Sequence, residues 1–235
     1  MMKKIYLFTL LATLLYSCEK NEYLTYAEKD GLSFTLGKDL ITRDSIVFSF
    51  VTNAVKGNHD TLWIPITLTG GAAETDQPFL LRIGAASTAK EGIHFRLTET
   101  VFPAHQVTFE YPVILLRSAD LVKETYKLTL EIAENDYYTV GALSQRFYPS
   151  IRIHITDQVI KPTWWGFSEN HYYGPYSKAK YLLMIEVCGV SNFSSVFLSS
   201  SQILNYRELV RAALKEYEKK HGEPLRDENN QAITI

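Results

Sequence analysis

The stretch Thr61-Leu62-Trp63-Ile64-Pro65-Ile66-Thr67-Leu68 sets apolar Leu62, Ile64, Ile66 and Leu68 against Thr61, Trp63, Pro65 and Thr67. Period two puts the first set on one face of an extended chain, which predicts a half-buried strand. Proline brings no N–H to a ladder, so Pro65 predicts a sheet edge or a bulge there. Upstream, Ile46, Phe48 and Phe50 alternate in the same way with Ser45, Val47 and Ser49. Further runs at 79–83, 107–116, 126–132 and 148–156 are separated by stretches containing Gly, Pro or Asn. About seven strands without intervening helices predict a two-sheet, Ig-like β-sandwich over residues 30–157.

After Asp157 the pattern changes, and residues 158–235 are expected to form an α/β C-terminal subdomain. Tyr206, Leu209, Val210, Ala213, Leu214 and Tyr217 keep the spacing of one helical face, with Asn205 as N-cap and Glu208 completing a capping box. Lys219, Lys220 and His221 suit the negative end of the helix dipole, Gly222 a left-handed C-cap, and Pro224 a stop. Residues 175–188, between Pro175 and Gly189, are apolar on nearly every face and read as a helix or a buried strand. Residues 225–235, with a polar turn at 227–230, read as a small hairpin. Ser199-Ser200-Ser201 is expected in a polar loop.

The N-terminus indicates where the protein works. Lys3 and Lys4 precede the apolar run 5–15, which is shorter than the roughly 20 residues that span a bilayer, so residues 1–17 read as an export signal. Leu15-Tyr16-Ser17-Cys18 resembles the bacterial lipobox, which implies a lipid on the Cys18 thiol and a mature chain starting there; ordinary secretory cleavage nearby is the alternative. Several acyl chains hold a protein on its membrane where one is marginal. Residues 18–29 form a linker. Glu19-Lys20-Asn21-Glu22 in it resembles the surface-export signal of Bacteroidota lipoproteins, or is a solvated spacer.

Charge and composition narrow the function. With a net charge of −2 and 21% charged residues, no basic excess points to nucleic acid. Cys188 is the one cysteine besides Cys18, so no disulfide forms within the mature chain once Cys18 is lipidated, and Cys188 reads as a buried, inert thiol. The six histidines, at 59, 94, 105, 154, 171 and 221, carry no zinc-ligand spacing, and the serines lie in no nucleophile elbow. Glu131 and Glu134 are a carboxylate pair only if the fold brings them face to face. The expectation is a protein with no catalytic residues, no metal and no cofactor, and not an enzyme.

Trp164, Trp165, Phe167, Tyr172, Tyr173 and Tyr176 cluster within a few turns of chain. Rings with polar tips can stack on sugars or hold peptide side chains, so Trp164, Trp165, Tyr172, Tyr173 and Tyr176 are the candidate ligand-binding residues. The competing and favoured expectation makes them a seam that packs the C-terminal part onto the sandwich.

Lys161-Pro162-Thr163-Trp164-Trp165, Tyr173-Gly174-Pro175-Tyr176-Ser177-Lys178, the 44–50 strand, the segment 88–95 and the run 128–136 together resemble the family called domain of unknown function 4843. The resemblance implies a Bacteroidota surface lipoprotein encoded beside starch-utilisation-type importers, in which a lid lipoprotein closes over an outer-membrane barrel. The partners it implies are that barrel and lid, the membrane through the lipid anchor, and an oligosaccharide or oligopeptide ligand. A structural or adhesive lipoprotein making only protein contacts is the alternative. More loosely, Gly92-Ile93-His94-Phe95, residues 102–109 and Ile155-Thr156-Asp157 are similar to calcium-exchanger β-motifs. Calcium sites in those modules gather carboxylates. Here His94 stands where an acid is expected, so the likeness extends to the fold and not to the calcium site, with Glu91 and Asp157 as the carboxylates to follow.

Overall fold

The structure, a computed structural model, describes residues 29–35, 44–53, 55, 57–141, 143 and 146–235. The expected signal segment, Cys18 and its linker up to residue 28 lie outside the described residues. Twelve strands are described: β1 (Asp30–Thr35), β2 (Ser45–Ser49), β3 (His59–Thr69), β4 (Gln77–Pro78), β5 (Leu80–Ile83), β6 (Phe95–Leu97), β7 (Val101–Phe102), β8 (Thr108–Leu116), β9 (Tyr126–Ala133), β10 (Tyr138–Val140), β11 (Phe147–Tyr148) and β12 (Ser150–Thr156). One sheet runs β10-β1-β3-β8-β6, with β11 also paired to β1; the other runs β2-β12-β9-β5; β4 and β7 make a short ribbon.

The alternation read in the sequence selects the inward faces. Ile64, Ile66 and Leu68 of β3 and Tyr111, Val113 and Leu115 of β8 meet Phe48, Leu128, Leu130, Ile151, Ile153 and Ile155 of the second sheet in one buried core. Trp63, on the opposite face of β3, is 58% exposed. The chain is therefore a mainly β, Ig-like sandwich followed by a helical C-terminal part.

Pro65 corrects one expectation: β3 is an interior strand, paired with β1 on one side and β8 on the other, and the registers contain no bulge at Pro65. The β1 ladder ends at the Phe34–Ile66 pair, one residue short of Pro65, so the missing N–H falls where that side of β3 has no ladder to join. Pro112 repeats the arrangement in β8, one residue beyond the last β6 pair at Leu97–Val113.

Three helices follow: α1 (Phe167–Tyr173), α2 (Lys178–Cys188) and α3 (Ser200–His221). The ambiguous apolar run is the helix α2. Ser177 Oγ accepts the Lys180 N–H at 3.2 Å, and the Glu228 carboxylate accepts the N–H groups of Lys178 and Ala179. Gly189 ends it at φ 70°, where a side chain would be strained. α3 begins at Ser200, with Ser199 and Gln202 as its capping box, and not at Asn205; of the serines expected in a loop, Ser199 is the N-cap and Ser200 and Ser201 open the first turn. Its buried stripe is Ile203 and Val210, with Tyr206 and Leu214 half-buried, while Leu209 is exposed. Gly222 caps its C-terminus at φ 77°, as its sequence position predicts. The terminal hairpin is one bridge wide, Arg226 to Ala232, and it is the β element described in the C-terminal part. No described helix is long and apolar enough to cross a membrane.

Candidate ligand-binding site

The favoured expectation is a seam against the sandwich; most of the aromatic segment instead builds a core of its own, and Trp164 faces the sandwich across a cleft. Trp165, Tyr173, Tyr181, Met184, Ile185, Phe193, Ile203 and Val210 form a second buried core, separate from that of the sheets. Trp165 is at its centre, with ring centroids 5.2 Å from Tyr176, 5.9 Å from Tyr181 and 6.2 Å from Tyr173, and its Nε1–H donates to Asn170 Oδ1 at 3.1 Å. Trp165 and Tyr173, 2% and 0% exposed, present no face to a ligand. Burial raises the Tyr173 and Tyr181 phenols well above their usual range and pushes Tyr176 up to about 12, so all three stay protonated. The Cys188 thiol, pushed up to about 11 by burial, is likewise held as the thiol. Phe193, fully buried against Trp164, Tyr181 and Tyr206, was not singled out in the sequence; a lone Phe in a Ser/Asn-rich loop carries no pattern.

Trp164 and Tyr172 are half-buried. The Trp164 indole lies nearly parallel to Trp165, 5.6 Å away at 21°, and lines a cleft of about 270 Å³ between the sandwich and the helices. Val47 and Ser49 of β2, with Thr52 and Asn53 just beyond it, form one wall. The connecting segment 160–163 and Tyr181, Ser191 and Asn192 of the helical unit complete the lining. Internal hydrogen bonds stiffen these walls: Ser49 Oγ–H donates to Gln158 O at 2.8 Å and Tyr181 Oη–H to Ser191 O at 2.7 Å. Lys161 is the one charged residue of the lining, its Nζ 5.7 Å from the centroid of the Tyr176 ring. Clefts at the junction of two packed units are common ligand sites.

Several other polar groups are engaged within the protein. His94, 1% exposed, accepts the Lys90 N–H at Nδ1 (2.9 Å) and so carries its proton on Nε2, 3.1 Å from Asp120 Oδ2, with its ring stacked on Tyr126. Ser118 bonds the other Asp120 oxygen, so the order is serine, aspartate, histidine and the imidazole does not reach the serine as it does in a catalytic triad. Asp157, one of the two carboxylates to follow, receives Nε and Nη2 of Arg117 at 2.7 and 2.8 Å. A guanidinium thus engages both oxygens of that carboxylate in a bidentate pair. Glu134 pairs with Lys29, while Glu131 stands beside Arg82 and Ser150 in the ladder. Among the described residues no group of three His, Cys, Asp or Glu side chains could hold a metal.

The fold and cleft define a class, a β-sandwich carrying a helical unit with an aromatic-lined cleft at the junction. The chain belongs to the family described as domain of unknown function (DUF4843), which matches residues 16–190. The match runs through the sandwich, Trp164 and α2 and stops short of α3. None of the curated proteins matches the chain. Among solved structures it is similar to "CBD12 from CALX1.2", with a TM-score of 0.34 and 10% identity over 54% of this chain and 43% of that one. It is also similar to the "Apo-form Calx CBD1 domain", with a TM-score of 0.34 and 10% identity over 55% of this chain and 97% of that one. The chain thus spans less than half of the first of these, and likenesses of that size decide nothing further about it.

Proposed function

We propose that this chain is a lipid-anchored outer-membrane protein facing the cell surface. In this reading it binds an oligosaccharide or oligopeptide beside a starch-utilisation-type importer and touches the importer's barrel and lid. The binding half rests on one observation, the cleft in which Trp164 meets the polar side chains of two separately packed units. Location rests on Leu15-Tyr16-Ser17-Cys18, and the importer and the Bacteroidota source rest on the family resemblance. The Cys18→Ser variant tests the anchor. Loss of lipid label, with release to the soluble fraction or an unprocessed precursor, is expected; unchanged label and membrane fractionation would sink it.

A second reading, a structural or adhesive lipoprotein with protein contacts only, is favoured by Phe167, Val196 and Phe197, which are 91%, 81% and 51% exposed. Neighbouring genes discriminate between the two. An adjacent barrel-and-lid pair supports the importer reading, and fimbrial-type genes support the second.

A further inference from the structure

We infer that the cleft seats one pyranose ring of a neutral oligosaccharide, stacked on Trp164 and hydrogen-bonded by Asn53, Thr163 and Asn192; this rests on reading the cleft as a binding site. Size is the first constraint. At about 270 Å³ the cleft is smaller than the roughly 300–1,000 Å³ pockets that enclose a drug-sized ligand, so it admits a single ring or a single side chain.

The polar groups choose between these. Ser49, Thr52 and Tyr181 already hydrogen-bond within the protein. The Asn53 side-chain carboxamide, the Thr163 hydroxyl and Asn192 Nδ2 have no protein partner among the described residues, although the Asn53 N–H donates to Ser49 O and Asn192 Oδ1 is fixed by the Ser194 N–H at 3.0 Å. These free groups are all neutral and include both donors and acceptors, which suits a ligand whose own hydroxyls do both. The lining has no carboxylate to receive a basic side chain, and its one ammonium, Lys161, lies against an aromatic ring. Trp165, stacked behind Trp164, holds the indole plane in place before a ligand arrives, which lowers the ordering cost of binding. A sugar ring offers that plane a flat C–H face while its rim reaches the amides. An extended peptide needs a row of main-chain partners, which these side chains do not make.

The test is titration of the purified protein, followed by calorimetry and tryptophan fluorescence. The probes are neutral oligosaccharides of glucose, mannose, galactose, xylose and N-acetylglucosamine and, separately, a set of tetrapeptides. At least one saccharide series is expected to bind. Trp164→Phe should weaken it about tenfold and Asn53→Ala about fivefold, while Trp63→Phe leaves it unchanged. Trp164→Phe keeps an aromatic ring against Trp165 and Asn53 is exposed, so both variants should stay folded; unchanged melting would verify this. Peptides binding through Trp164 and Asn53, with no saccharide bound, would overturn the sugar assignment and leave the cleft a binding site. No binding of either class at millimolar concentration would overturn both. Saccharide binding indifferent to Trp164→Phe and Asn53→Ala would also overturn the inference, by moving the site elsewhere.

Discussion

Glu169 shows how much a single buried side chain can decide. Desolvation alone would raise its pKa. The carboxylate, however, accepts the N–H and hydroxyl of Ser195 at 3.0 and 2.9 Å and the Gly166 N–H at 3.2 Å, and these bonds bring it below the ordinary value of 4.5. A depressed carboxylate contributes stability that is present above pH 4.5 and lost as pH falls through the folded value. Glu169→Gln should therefore be less stable than wild type at pH 7, and its thermal midpoint should fall less steeply on acidification below pH 4.5. Parallel curves would mean that these bonds do not hold the carboxylate. Lys180, also buried, donates to the carbonyls of Tyr173 and Pro175 and stabilises the C-terminal end of α1, while desolvation lowers its pKa. Neither residue stood out in the sequence. A lone Glu and a lone Lys look like surface charges until the fold wraps a core around them.

At the scale of elements, α3 carries two capping boxes in its sequence, Ser199 with Gln202 and Asn205 with Glu208, and the fold uses the first. Local pattern does not separate them. The choice comes from Ile203, which is buried in the second core and so draws the helix back past Asn205. Ser199 Oγ accepts the Gln202 N–H, and Gln202 Oε1 accepts the Ser199 N–H at 2.9 Å. Ser199→Ala should cost about 1 kcal/mol in denaturant unfolding. Asn205→Ala, inside the helix and exposed, should change little; the reverse order of effects would restore the later start. The C-terminal ends of α2 and α3 were legible because a glycine in the left-handed region needs no distant partner to mark them.

Over the whole molecule, two cores meet along a cleft rather than sharing one interior, so they need not unfold together. Trp165→Ala should destabilise the helical unit by about 3–5 kcal/mol and leave the sheets intact. Calorimetry should then split into two transitions, and limited proteolysis should cut first after Asp157. A single transition displaced as one would show that the two cores unfold as a unit. By itself the sequence determined six of the twelve described strands (β2, β3, β5, β8, β9 and β12), the C-terminal ends of α2 and α3 and the change of texture after Asp157, because period two and glycine caps act between near neighbours. Tertiary structure alone placed Pro65 inside a sheet, since only the lengths of the neighbouring ladders show which backbone groups need partners. It alone turned the Trp164–Trp165 pair from a seam into a core with one edge on a cleft, because Asn53 and Asn192 lie far apart along the chain and meet only after both cores have packed.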